Sequence, residues 1–246
     1  MLKTYREEMI IRSRDCDSEG TLRPSTLLAA LQDVADVHAR LLGCGREVLI
    51  EQNLVWVLSR SEVHMERYPQ KDEHIYLTTF PMVNRRWFFP RYFLVEDESG
   101  RTIGKAATLW LLLDIHTRHM APPGAAARCI PDNSDLTPPL GLPGNVLALP
   151  GAQETVLSRW PVYSDIDVNQ HVNNARYADW ACDALGFSTM REYCLKTMCI
   201  QYAAEIRPGQ EISLHAAQSE GRYRVAGYHE GKMHFEIGGE LMPRQR

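Results

Sequence analysis

The sequence predicts an α+β fold of two tandem units, each an antiparallel sheet wrapped around one long helix. Three observations carry this. A proline- and glycine-rich stretch divides the 246-residue chain near its middle. Sliding the first half onto the second by 150 positions sets Asp15-Cys16-Asp17 on Asp165-Ile166-Asp167, Leu27 on Tyr177 and Asp33 on Asp183. A second shift, of 137, sets Val63 on Ile200, Met65 on Tyr202 and Ile75 on Ile212. Matches that keep their order along the chain mark a duplicated unit.

Taken in order, each unit reads as a strand, an acidic turn, a helix and several strands. Thr4–Arg14 and its counterpart Glu154–Ser164 lead into the acidic turns. The first helix is expected from Pro24 to Leu42, with proline near its start, Gly43 past its end, and Leu27, Leu31, Val34, Ala35, His38 and Leu42 at helical spacing. The second is expected from Asn173 to Leu185, stopped by Gly186, with Tyr177, Ala178, Ala181 and Leu185 on one face. Strands are expected at Leu54–Met65, His74–Phe80, Trp87–Glu96 and Ile103–Ile115, then at Thr197–Glu205, Glu211–Ala217, Arg222–His229 and Lys232–Leu241. Asp97–Gly100 and Glu230-Gly231 have the composition of hairpin turns. One helix followed by such a sheet is the hotdog arrangement, and two of them can join their sheets edge to edge. The division expected is 1–121 for the first unit, 122–150 for a linker, irregular and partly polyproline-like, and 151–246 for the second.

Composition narrows the function. The apolar fraction of 44% suits two packed cores. No apolar run approaches the roughly 18 residues of a membrane span, and charges stand at Lys3, Arg6, Glu7 and Glu8, where a signal peptide would be apolar. A cytoplasmic protein without a membrane span is the expectation. A net charge of −4 without a basic block argues against nucleic acid. The six cysteines form no C-x-x-C pair, so no metal site is expected.

The chemistry is concentrated in Asp165-Ile-Asp167-Val-Asn169-Gln-His171-Val-Asn173-Asn174. In an extended or tightly turned segment, residues two apart face the same way, so Asp167, Asn169 and His171 can converge. A carboxylate to orient, an amide to donate to a carbonyl oxygen and an imidazole to move a proton suit hydrolysis. A helix starting at Asn173 would aim the N–H groups of Val172 and Asn173 at the same point, as an oxyanion site. The bland alternative is helix capping. It accounts for Asp165 and for Asn173 or Asn174 but not for three polar groups at alternate positions.

Asp-x-Asp-Val-Asn-Gln-His-Val-Asn-Asn, with Tyr177 three residues on, resembles the signature of the acyl-acyl carrier protein thioesterases, plant-type and bacterial. Trp56-Val-Leu-Ser-Arg60 and Trp110-Leu-Leu-Leu-Asp114-x-x-Thr-Arg118 resemble that family too, as do the tandem plan and the length. The resemblance implies hydrolysis of a fatty acyl thioester of acyl carrier protein, with no cofactor. It also implies a fourth catalytic residue, a Glu in a Tyr-x-x-Glu-Cys segment, here Tyr202-Ala-Ala-Glu205-Ile206. Ile206 replaces the Cys, so a thiol nucleophile is excluded there, and attack falls to water or to the Asp167 carboxylate. Where the second unit has Asn169, His171 and Glu205, the first has Glu19, Thr21 and Tyr68. It keeps Asp17 and reads as a silent copy that shapes the acyl pocket. Carrier docking is expected through basic residues, either Arg85, Arg86 and Arg91 or Arg176 and Arg191. Pairing of two chains is left open. An acyl-CoA thioesterase and a non-catalytic acyl-binding protein are the alternatives. A hotdog dehydratase would carry its acid on the helix, where Ala178, Ala181 and Ala184 stand.

Overall fold

The computed structural model describes residues 1–244. Strand β1 (Tyr5–Ile10) leads through a one-turn 3-10 segment at Ser13–Asp15 into helix α1 (Pro24–Leu41) and the short α2 (Arg46–Ile50). Strands β2 (Leu54–Met65), β3 (His74–Pro81), β4 (Phe88–Asp97) and β5 (Thr102–Asp114) follow. After α3 (Gly124–Arg128), the plan repeats with β6 (Glu154–Arg159), a 3-10 turn at Tyr163–Asp165, α4 (Arg176–Leu185), α5 (Phe187–Glu192) and β7 (Tyr193–Leu195). Strands β8 (Thr197–Tyr202), β9 (Ile212–Ser219), β10 (Arg222–His229) and β11 (Lys232–Pro243) complete it.

Helix α1 forms where the sequence places it. Pro24 fits the first turn, where an N–H has no partner to lose. Leu27, Leu31, Val34, Ala35 and His38 are buried along one face, and Gly43 takes φ +79° just past the end. Burying each such leucine contributes roughly 2 kcal/mol. Helix α4 starts at Arg176, three residues later than the expected Asn173, because the intervening backbone makes other bonds (below).

All the strands form one antiparallel sheet in the order β1-β3-β4-β5-β2-β8-β11-β10-β9-β6, with β7 added on β11. The second half of that order repeats the first in reverse, so the copies meet through their matching strands, β2 and β8. Ser61 pairs with Ile200 and Val63 with Met198. Since Val63 corresponds to Ile200 and Ser61 to Met198, each residue pairs with the counterpart of its neighbour two places on. This is the self-complementary contact of a two-fold dimer, written into one chain. On the inner face the helices touch as well, Ser25 of α1 donating to Asp179 of α4 at 2.5 Å. The largest core cluster draws on both halves, from Leu27 and Phe93 to Trp180 and Phe235.

Residues 122–150 contain little regular structure beyond α3, which the density of proline did not lead one to expect. The segment is docked rather than free. Asn133 donates to the carbonyls of Lys3 and Pro81 at 3.0 and 2.8 Å. Leu136 and Leu140 pack on Phe80 and Tyr92, and the Gly144 N–H donates to Glu62 at 3.0 Å. Among the described residues no helix is long and apolar enough to cross a membrane.

Candidate active site

The turn before α4 is held by its own backbone. Ile166 and Val172 form an isolated bridge, the Asp167 N–H donates to His171 O at 3.0 Å, and the Gln170 N–H donates to Asp167 O at 3.0 Å. The loop so closed puts Gln170 at φ +63°. Below it, Asp165 is structural. It is 1% exposed and accepts from Val162 N at 3.0 Å and Trp180 Nε1 at 3.3 Å, with Arg159 and Arg176 each at 3.6 Å.

Above it, Asp167, Asn169 and His171 come together as expected. Asp167 Oδ1 accepts from the Asn169 N–H at 2.8 Å, and its Oδ2 from Asn169 Nδ2 at 3.4 Å. His171 Nδ1 lies 3.4 Å from Val172 O and 3.8 Å from Asp167 Oδ1. Both neighbours only accept, so the neutral ring carries its proton on Nδ1 and presents Nε2, which has no protein partner among the described residues.

Glu205 joins this group from a loop, not from a strand. Strand β8 ends at Tyr202, because the N–H groups of Ala203 and Ala204 both converge on His234 O, at 2.8 and 3.0 Å. That pinch breaks the ladder. Ile206 O then accepts from Val172 N at 2.8 Å, tying the loop to the turn. Glu205 is gripped by Arg118 at 2.6 Å and Arg207 at 3.1 Å. Burial alone would raise its carboxyl; the two guanidinium groups, with His171 nearby, outweigh it and hold the pKa below the ordinary value. Arg118 belongs to the first copy. In the sequence it stands within a family-like motif, but nothing in spacing shows a contact across 87 residues.

The expected oxyanion donors Val172 and Asn173 are not available. The Val172 N–H is bonded to Ile206 O, and the Asn173 N–H to Asp165 O at 2.9 Å. These bonds delay the helix to Arg176. Asn173 Oδ1 caps the turn by accepting from Ala175 N at 2.9 Å. Asn169 Nδ2 is the side-chain donor left at this point. Tyr177, beneath the turn, stacks on Phe235 at 4.3 Å; burial, with the charges of Asp167 and Glu205 adding, raises its phenol far above the usual value.

A cavity of about 220 Å³ opens beside Asn169 and runs into the first copy, between α1 and the sheet. Ala35, Ala39, Trp56, Phe89 and Trp110 make an apolar wall, and Gln32, Asp36 and Arg46 border it too. Thus the turn of the second copy serves a cavity of the first. The reciprocal place is a polar hollow bordered by Glu19, Thr21, Arg191 and Arg244. There Asp17 keeps its bonds to the N–H groups of Glu19 and Thr21, at 3.0 and 3.1 Å, but Arg244 grips its other oxygen at 2.5 Å. Tyr68, standing where Glu205 stands, donates to Leu195 O at 2.9 Å.

The basic residues expected to dock a carrier are scattered. Arg91 is buried in the cavity wall, 7% exposed, and is no surface residue. Arg176 pairs with Asp179 at 2.6 Å, and Arg191 faces Glu19 of the first copy at 3.7 Å. Among the described residues no cluster of three or more His, Cys, Asp or Glu side chains is arranged to hold a metal ion.

Comparison with known proteins gives these observations a context. The acyl-ACP thioesterase N-terminal domain family matches residues 2–122, and the acyl-ACP thioesterase C-terminal domain family matches residues 151–238. A chloroplastic palmitoyl-acyl carrier protein thioesterase of Arabidopsis thaliana is 27% identical over 213 residues, 82% of this chain and 52% of its own. A chloroplastic oleoyl-acyl carrier protein thioesterase of the same plant is 25% identical over 223 residues, 82% of this chain and 59% of its own. The chain therefore spans about half the length of the curated relatives it matches. Among solved structures, an acyl-ACP thioesterase from Bacteroides thetaiotaomicron superposes with a TM-score of 0.88 at 25% identity, covering 97% of this chain and 98% of that one. A 12:0-ACP thioesterase from Umbellularia californica shares the fold, with a TM-score of 0.83 at 20% identity and 98% of each chain covered.

Proposed function

The chain belongs to the acyl-ACP thioesterase family, and from that premise we propose that it hydrolyses fatty acyl thioesters of acyl carrier protein to free acid and carrier thiol. The observation that carries this reading is the continuity between Asn169 and the apolar cavity of the first copy. A thioester carbonyl held at Asn169 has its acyl chain already pointed into that space.

In this mechanism Asn169 Nδ2 donates to the carbonyl oxygen as negative charge develops there. His171, its Nδ1–H turned toward Val172 O and Asp167, takes a proton from water at Nε2, and the water oxygen attacks the carbonyl carbon. As the tetrahedral intermediate collapses, the C–S bond breaks and the imidazolium returns the proton to the departing thiolate. Glu205, kept anionic by Arg118 and Arg207, stabilises the transient imidazolium. Asp167 shapes the turn: both of its oxygens already accept from Asn169. Direct attack by Asp167 would disrupt those bonds, which favours water as the nucleophile. Single turnover in isotope-labelled water tests this, since label entering the protein carboxylate would refute it.

Thiol release from a panel of acyl carrier protein and acyl-CoA thioesters, with wild type and His171→Ala side by side, tests the function. Loss of His171 should lower kcat by roughly 10²–10⁴. A loss below about threefold would remove His171 from its role. Turnover of CoA esters in preference to carrier protein esters would reassign the thiol.

A further inference from the structure

The cavity that begins at Asn169 is not wholly hydrocarbon-lined. Strand β4 sets Arg91 in its wall, with the residue 7% exposed. A guanidinium taken out of water is strongly unfavourable without a counter-charge, and Arg91 has no ion-pair partner among the described residues. Its Nη1 donates to His38 Nδ1 at 3.1 Å and to Thr79 Oγ1 at 3.2 Å. Both partners are neutral. His38 accepts at Nδ1, and its Nε2–H donates to Leu2 O at 3.1 Å, so the ring holds a single proton. Asp36, the only carboxylate among the described lining residues, is engaged by Arg40 at 3.2 Å. Burial lowers the Arg91 pKa to about 10, which leaves the group charged at neutral pH.

The unpartnered edge has a definite shape. With Nη1 occupied, Nε and Nη2 remain, and these are the two parallel donors with which arginine grips a carboxylate side-on. That edge is also accessible. Among the described residues the side-chain polar atoms that are both buried and unpartnered belong to Asn133, Arg159, Arg176 and Arg244, not to Arg91. The edge therefore borders open space, and the space is the cavity.

We propose that the cavity selects acyl chains bearing a carboxylate at the end remote from the thioester, and that Arg91 is the residue that binds it. The inference rests on the thioesterase reading of the same cavity. A methyl end would leave the guanidinium desolvated and unpaired beside Trp56 and Phe89. A terminal carboxylate neutralises it, and Thr79 and His38 already fix the guanidinium so that little ordering is lost on binding. The space is bounded, at about 220 Å³, so the fitting substrates are half-thioesters of dicarboxylic acids whose far carboxylate reaches Arg91.

The test uses two thioester series of matched medium chain length, one ending in methyl and one in carboxylate. Wild type, Arg91→Met and Arg91→Lys are compared by kcat/KM for thiol release. Wild type should favour the carboxylate series by about tenfold or more. Arg91→Met should invert that ratio, and Arg91→Lys, which keeps the charge but loses the fork, should retain the preference in weaker form. A wild type that favours the methyl series, or a ratio that Arg91→Met leaves unmoved, overturns the proposal. Hydrolysis of neither series by wild type would be a failure of the thioesterase reading, so binding is measured separately. Calorimetric titration with a medium-chain carboxylate and the primary alcohol of equal length should show tighter carboxylate binding to wild type, lost in Arg91→Met. Equal affinities in the two proteins would overturn the proposal without any turnover.

Discussion

Arg118 and Glu205 come from different copies of the duplicated unit, and their 2.6 Å contact makes the electrostatics of the site depend on both. Removing Arg118 takes away a principal charge that offsets burial of the Glu205 carboxyl, so its pKa should rise from its lowered position. Arg118→Ala should then lower kcat by roughly tenfold to a hundredfold with a smaller change in KM, and Arg118→Lys should restore part of it. A change confined to KM would assign Arg118 to carrier binding instead. His38 supports a prediction about stability. It is 0% exposed, and burial, with Arg91 beside it, lowers its pKa from 6.5 to about 4. Between those values the unfolded chain binds a proton that the folded one refuses, so stability rises with pH there. Falling from pH 6.5 to about 4 should remove about 3 kcal/mol through this group. His38→Gln, whose amide can accept from Arg91 and donate to Leu2 O, should flatten that part of the profile. Urea midpoints across the acid range, compared between wild type and variant, would show parallel curves if the assignment is wrong.

At the scale of the element, the acidic turn is the unit on which the site is built, and the two copies provide an internal control. Asp17 N to Thr21 O and Asp167 N to His171 O are the same bond, at 2.8 and 3.0 Å. Leu22 N to Pro69 O and Val172 N to Ile206 O are also equivalent, at 2.9 and 2.8 Å. Gly20 holds φ +77° in one copy, and Gln170 holds φ +63° in the other. A left-handed glutamine is strained where glycine is not. Gln170→Gly should stabilise the protein by up to about 1 kcal/mol, visible as a higher urea midpoint, and a lower midpoint would mean that the Gln170 side chain makes a compensating contact. Most of this turn was legible in the sequence, because alternate polar positions and a proline-started helix are local signals. The two shifts even predicted that Tyr68 stands for Glu205. What was not legible depends on distant partners. The loss of Val172 and Asn173 as donors follows from carbonyls at Ile206 and Asp165. The end of β8 at Tyr202 follows from His234 O, and the burial of Arg91 from α1, which packs on β3 and meets Arg91 through His38.

For the whole molecule, the seam between β2 and β8 decides whether the halves are domains in the thermodynamic sense. Ser61, Val63, Met198 and Ile200 pair across it, α1 and α4 are joined by Ser25 and Asp179, and one core cluster includes residues of both copies. Separating the halves would expose two long strand edges and open that core, an arrangement prone to aggregation. The intact chain should therefore unfold in a single transition, with calorimetric and van't Hoff enthalpies equal. The segment 122–150 adds contacts through Asn133, Leu136 and Gly144 but contributes no strand to the sheet. Cutting it after folding, at an engineered protease site near Gly141, should leave the halves associated and the chemistry intact, because neither the seam nor the turn depends on that peptide bond. Separation of the fragments on a sizing column would show instead that the linker holds the two copies together. In that case Arg118 and Glu205 would part with them, and the loss of activity should match the loss seen in Arg118→Ala or exceed it.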